Sequence, residues 1–281
     1  MSSSEREHAI FLGPDKSGST WCYNFARAHP EVSVARAKDL FFFDDDQTYE
    51  RGLAWYDSQF AQGQRAVQFD VGHDYLFSVD AASRVAELAK RRSVATMICV
   101  RNPLDRAFSS YRYMRRQGRV TGTFGEALGR VSELVDHGRY GRWSDLWGTE
   151  TGVLPELLDF TELRSCDERF ANTLCDAIGV ESRPNDTVSA IGKNPATEAR
   201  SPRLVSLGRT TLSVLRRYGL HTVAGRLKEA SIDSKVLFSE AQNERPSAGE
   251  QALFWHLYGD DAGSLDALYG TNYVEQWAVE A

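Results

Sequence analysis

Along the first 180 residues, short apolar runs alternate with segments whose apolar positions recur every three or four residues. Runs of four to seven residues rich in Val, Ile and Phe fit buried strands, and the three-to-four spacing fits helices packed by one side. The pattern predicts strands over 9–12, 66–70, 94–100 and 157–160, and helices over 20–28, 49–60, 81–91 and 104–116. Pro103 sits where a first helical turn tolerates a missing N–H. Strands separated by helices need crossover connections, which predicts an α/β fold: a central parallel sheet flanked by helices on both faces. With no repeat or linker-like run in that stretch, the chain reads as a single domain over 1–281. Residues 183–209, richer in Pro, Asn, Ser and Arg, read as a long surface loop, and helix patterns follow to the end.

Composition narrows the possibilities. A chain of 281 residues with 42% hydrophobic and 11% aromatic residues can bury a sizeable core without disulfide or metal staples. Its 33 basic and 39 acidic residues give a net charge of −6, which argues against nucleic acid or an anionic membrane as a partner. An anionic ligand must then be met by cations placed locally. The start, MSSSEREHAI, lacks the pattern of a signal peptide, and no apolar run approaches the ~20 residues of a membrane span, so the chain reads as cytoplasmic. Cys22, Cys99, Cys166 and Cys175 show no paired or metal-ligand spacing and read as buried thiols in a reducing compartment.

The segment 9–21, AIFLGPDKSGSTW, runs from a strand through a Gly-Ser-Thr turn into a helix. Such a turn presents backbone N–H groups and the positive end of the helix dipole to an anion, and Lys16 adds a full charge. Gly13 and Gly18 have the spacing of a nucleotide-triphosphate P-loop, but Ser19 stands where that loop has its lysine. The order Lys16, Ser17, Gly18, Ser19, Thr20, Trp21 resembles the 5′-phosphosulfate loop of sulfotransferases that use 3′-phosphoadenosine 5′-phosphosulfate (PAPS). Residues 94–118, again strand, turn and basic helix, resemble the same family's 3′-phosphate site, with Arg101 and Ser109 in the phosphate-holding places. Arg106, Arg112, Arg115 and Arg116 read as a solvated helix face.

Residues 38–60, KDLFFFDDDQTYERGLAWYDSQF, are similar to a segment of the heparan sulfate glucosaminyl sulfotransferases in which an acid precedes Phe-Phe and a Gly-x-x-Trp-Tyr helix. The resemblance puts Asp39 in the place of a general base that is a glutamate in those enzymes. Trp55 and Tyr56 read as core. At the next strand end those relatives carry Glu-Lys ahead of a tyrosine, whereas this chain has Asp70, Val71 and Tyr75, with His73 between. His73 is therefore a second candidate base. Residues 136–147 resemble the family's Gly-x-Tyr helix near the acceptor cleft, which brings in Tyr140, and residues 191–203 resemble a loop over the nucleotide, which brings in Lys193.

The resemblance implies a P-loop-NTPase-like sulfotransferase fold and sulfuryl transfer from PAPS to a hydroxyl or amine, releasing adenosine 3′,5′-bisphosphate, with no metal. Lys16 would stabilise the leaving phosphate, and Asp70, Tyr75 and Tyr140 would border the acceptor together with Phe41, Phe42 and Trp143. The implied partner is a small-molecule or glycoside acceptor. Two other readings stand beside it: a P-loop kinase or NTPase, and a nucleotide-binding protein without catalysis.

Overall fold

Every residue of the first strand, β1 (His8–Gly13), is buried. The structure, a computed structural model, describes residues 7–60, 67–182, 197–199, 238–240 and 246–280. In β1, Ala9 and Phe11 enter one core with Cys22, Phe25, Phe170 and Leu174, while Ile10 and Leu12 enter a second core with Leu104, Ala107 and Trp147. The strand β4 (Val94–Val100) divides likewise, with Met97 and Cys99 on one side and Ile98 and Val100 on the other. Burial on both faces is why these strands read as unbroken apolar runs.

With β2 (Val32–Val34), β3 (Val67–Val71) and β5 (Glu156–Asp159), they form a five-stranded sheet in the order β2-β3-β1-β4-β5. All four pairings are parallel, as the alternating pattern predicts. Helices α1 (Ser19–Ala28) and α10 (Asp167–Ile178) cover one face. The other is covered by α4 (Val79–Ala89), α5 (Pro103–Arg116), α8 (Tyr140–Thr151) and the C-terminal α12 (Phe254–Tyr269) and α13 (Tyr273–Glu280). The chain leaves β1 toward β2 and β3 on one side and returns to β4 on the other. The strand order therefore reverses between β1 and β4, and their carboxyl ends open a crevice of the kind in which α/β sheets bind ligands. Among the described residues no helix is long and apolar enough to cross a membrane.

Several expectations are corrected. The helix expected over 49–60 is two pieces, α2 (Asp46–Tyr49) and α3 (Gly52–Ser58), separated at Gly52, whose φ of 78° interrupts the helical path. Within the loop expected over 183–209, Thr197–Ala199 is a strand, β6, paired antiparallel with β7 (Phe238–Glu240), where a helical pattern was read. Their pairing joins distant segments that local periodicity cannot connect. The other residues of 183–209, Lys193 included, lie outside the described residues. Strand β2, only three residues long, is too short to leave a pattern. Cys22, Cys99 and Cys175 are buried as expected, whereas Cys166 is exposed at the N-cap of α10.

Candidate active site

The turn between β1 and α1 lies at the crevice. Gly13 has φ 126°, and a Cβ there would lie 2.5 Å from the His73 carbonyl oxygen, so only glycine lets the end of β1 approach that segment so closely. Lys16 is left-handed at φ 65° and Gly18 at φ 90°. Gly18 gives α1 no side-chain cap, and the helix has no acid in its first turn. By contrast Asp45, Ser78 and Asn102 cap α2, α4 and α5 through their side chains. The first N–H groups of α1 are thus left to an external acceptor, which with the dipole makes an anion site. Ser17 Oγ is buried with no hydrogen-bond partner among the described residues, and Thr20 is exposed.

Cations converge on this turn. Burial, reinforced by the like charges of Arg116, Arg101 and Lys38 and opposed by Asp15, pushes the Lys16 ammonium down to about 8. Its Nζ lies 4.6 Å from the centre of the Tyr113 ring. Arg101, at the end of β4, donates from Nη1 to the Lys16 carbonyl oxygen at 3.0 Å and lies over the Phe160 ring at 4.8 Å. Arg101, Asn102, Asp105, Phe160, Thr161, Arg164 and Ser165 line a cavity of about 300 Å³ beside the turn. Ser109 is half-buried on α5, and its neighbour Ser110 is buried and hydrogen-bonded to Asp15. Trp21 stacks on Phe25 and meets Phe170 edge-on, on the side of the α1/α10 core.

At the end of β3, on the other side of β1, Asp39 is buried, left-handed at φ 64°, and fixed by its backbone N–H to the Val71 carbonyl. Its Oδ1 accepts from Lys38 Nζ at 2.9 Å and pairs with His73 Nδ1 at 2.8 Å. The other ring nitrogen, His73 Nε2, pairs with Asp74 at 2.9 Å. Burial opposes charge on this ring, but the flanking Asp39 and Asp74 outweigh it and push His73 up to about 10. The two carboxylates thus favour the charged form of the ring. Phe41 packs edge-on against it.

Three residues expected to border an acceptor lie in the core instead. Asp70 is fully buried at the end of β3, its Oδ2 accepting from Tyr75 and Tyr56 at 3.1 and 3.3 Å. Burial pushes its carboxyl up to about 7. Tyr75 also accepts from the Phe42 N–H, and Tyr140 is fully buried, its hydroxyl without a hydrogen-bond partner among the described residues. Phe42 and Trp143 are buried as well, which leaves Phe41 of the aromatic candidates partly open. Trp55 and Tyr56 pack with the core as read from the sequence.

Other residues at the site carry little signal in their own segments. Lys38 Nζ donates to Ser19 Oγ at 3.2 Å as well as to Asp39, so one side chain ties the anion-binding turn to the acid. Its place beside Asp39 was the available clue. Arg106, read as solvated, is fully buried and pairs with Asp15 at 2.7 Å. Arg116 is half-buried rather than solvated, within electrostatic reach of Lys16. Asp15, Asp74 and His137 bring oxygen and nitrogen atoms within 4.8 Å of one another, a donor set no sequence spacing announces. Arg106 and His73 already pair with its two carboxylates.

Comparison with known proteins bears on the family and the fold. Mouse heparan sulfate glucosamine 3-O-sulfotransferase 3B1 is 29% identical over 110 residues, 39% of this chain and 27% of the relative. Human heparan sulfate glucosamine 3-O-sulfotransferase 6 is 32% identical over 106 residues, 37% of this chain and 29% of the relative. These matches thus span under a third of each relative's length. A crystal structure of a sulfotransferase from Alicyclobacillus acidocaldarius superposes over 97% of this chain and 99% of that one, with a TM-score of 0.65 at 18% identity, which shows the shared fold. The sulfotransferase domain profile matches residues 6–147, about half of the chain and the part that carries the anion-binding turn, Asp39, His73 and Arg101, and the chain belongs to the sulfotransferase domain family.

Proposed function

We propose that the chain transfers a sulfuryl group from PAPS to a hydroxyl or amine of a small-molecule or glycoside acceptor, releasing adenosine 3′,5′-bisphosphate. The observation that carries this reading is the Lys38 bridge, which sets a candidate base, Asp39, one side chain away from an uncapped, cation-rich anion turn. The 5′-phosphosulfate would lie on the N–H groups at the start of α1, with Ser17, Ser19 and Thr20 supplying hydroxyls and Lys16 the charge. Arg101 and Ser109 would hold the 3′-phosphate, with Phe160 as an aromatic surface in the adjoining cavity. The relatives named above act on heparan sulfate glucosamine, and a sugar hydroxyl or amine is the acceptor chemistry this likeness favours.

Asp39 is assigned the proton and His73 is not. A ring held as imidazolium between two carboxylates has no lone pair to accept a proton, so His73 orients Asp39 and adds positive charge beside the reacting group. The acceptor's oxygen or nitrogen attacks sulfur as its proton passes to Asp39, the bond from sulfur to the bridging oxygen breaks, and the electron pair leaves on the 5′-phosphate. Lys16 stabilises the charge gathering there. This route draws on the chain's own residues and the donor.

The test is transfer of labelled sulfuryl from PAPS to a panel of glycosides, amino sugars and phenols. Labelled product that disappears with Asp39→Asn supports the reading. Tight bisphosphate binding with no transfer to any acceptor would favour a binding protein, and phosphate release from ATP with Mg²⁺ would favour an NTPase.

A further inference from the structure

The anion-binding turn is held at two successive residues by the second phosphate motif. Arg101 takes the Lys16 carbonyl, and Arg106, one turn into α5, takes the Asp15 carboxylate from a side chain with no solvent exposure. Arg106 Nη2 also donates to the carbonyl oxygens of Leu134, at 2.5 Å, and Glu133, at 3.4 Å, within α7 (Ser132–Asp136). Ser110 Oγ donates to the other oxygen of Asp15 at 2.7 Å, and His137 Nδ1 stands 4.0 Å from the first. Burial works against ionisation of Asp15, but His137, Arg106 and Ser110 overcome it and hold the carboxyl far below its usual range.

A charged pair this deep is a poor source of net stability, because desolvation offsets most of the attraction. It does fix geometry, since a buried guanidinium with three acceptors permits one placement of the loop. We infer that Asp15 and Arg106 are positioning residues that set the separation between the two anion subsites, one on the β1–α1 turn and one on the β4–α5 motif. The site thereby selects a nucleotide with two separately placed anionic groups over one with a single phosphate. This inference rests on the donor reading above. A ligand bridging both subsites gains from their fixed spacing, whereas a ligand occupying one does not.

The experiment compares Asp15→Asn, Arg106→Lys and the milder Ser110→Ala with the unmodified chain. Affinities for adenosine 3′,5′-bisphosphate and adenosine 5′-monophosphate are measured beside hydrogen exchange of the amides at 15–20 and in β1 and β4. The expected result is a fall of about tenfold or more in bisphosphate affinity and at most a few-fold change for the monophosphate. Exchange rises at 15–20 and stays constant in β1 and β4, with Ser110→Ala showing the same pattern more weakly. An equal loss for both nucleotides, or exchange rising throughout the sheet, would mean a merely structural pair and overturn the inference. If the unmodified chain binds the bisphosphate no better than ATP with Mg²⁺, the donor reading fails. The exchange arm then still decides whether the pair positions the loop: unchanged exchange at 15–20 in all three variants rejects it.

Discussion

The two charged clusters at the carboxyl ends of the strands are built from opposite materials. The β1–α1 side is a contiguous turn with an uncapped helix start and a surplus of cations, so its ligand has to bring the negative charge. The Lys38–Asp39 side is an alternation of opposite charges, Lys38, Asp39, His73 and Asp74, already paired with one another across 36 residues of sequence. On the proposed function, one cluster binds the donor and the other holds and moves a proton. The proposed chemistry would use this inequality: a phosphosulfate needs fixed positive charge, while a base needs a carboxylate whose direction is controlled from both sides.

The comparison can be broken most severely at the acid. Asp39→Asn should lower turnover by about 10²–10⁴-fold and leave bisphosphate affinity within a few-fold, as read by steady-state transfer and calorimetry. An Asn variant with near-normal turnover would move the base elsewhere. Next comes Lys16→Ala, expected to cost on the order of 10²-fold or more in kcat because a pre-aimed charge is lost from the leaving group. The two substitutions separate the sides: one spares donor binding and the other weakens it.

A pH series sharpens the contrast further. The Lys16 ammonium titrates near 8 in the free protein, so donor affinity should decline as pH rises through that value, by at most about tenfold per pH unit. Lys16→Arg, charged throughout, should flatten the decline, and a slope unchanged in that variant would remove Lys16 from the donor contact. The smallest effect is on stability. Asp70 is raised in the folded state to about 7, so the folded chain binds the extra proton above the ordinary carboxylate range. That contribution is complete below pH ~4 and is lost as pH rises through about 7. The Tm of Asp70→Asn should therefore gain on that of the parent by several °C between pH 5 and pH 8. A gap that stays constant would contradict a protonated, buried Asp70.

What could be read in the sequence follows the same division. Strands β1 and β4 and the turn are legible because each is one uninterrupted segment: two-sided burial writes an apolar run, and the Gly-Ser-Thr turn sits directly between strand and helix. Lys16, Ser19 and Arg101 come from such segments. Arg106 looked like one charge among several on a basic helix, and only the fold shows that Asp15 lies opposite it, 91 residues away. Tyr75 and Tyr140 fit an aromatic cleft by type, but the 3-10 turn and the helix that carry them point them into the core. His73 was found as a candidate, yet its charge state depends on Asp39 arriving from another segment. Local pattern reports backbone and burial, and the roles of charged side chains depend on partners that pattern does not locate.

The central claim, a donor site shared between the β1–α1 turn and Arg101, is tested most directly by titrating the protein calorimetrically with adenosine 3′,5′-bisphosphate, with ATP and Mg²⁺ as the comparison and Arg101→Ala as the control. The account predicts tight bisphosphate binding that is preferred over ATP and is lost in the variant; preference for ATP, or bisphosphate binding indifferent to Arg101, would contradict it.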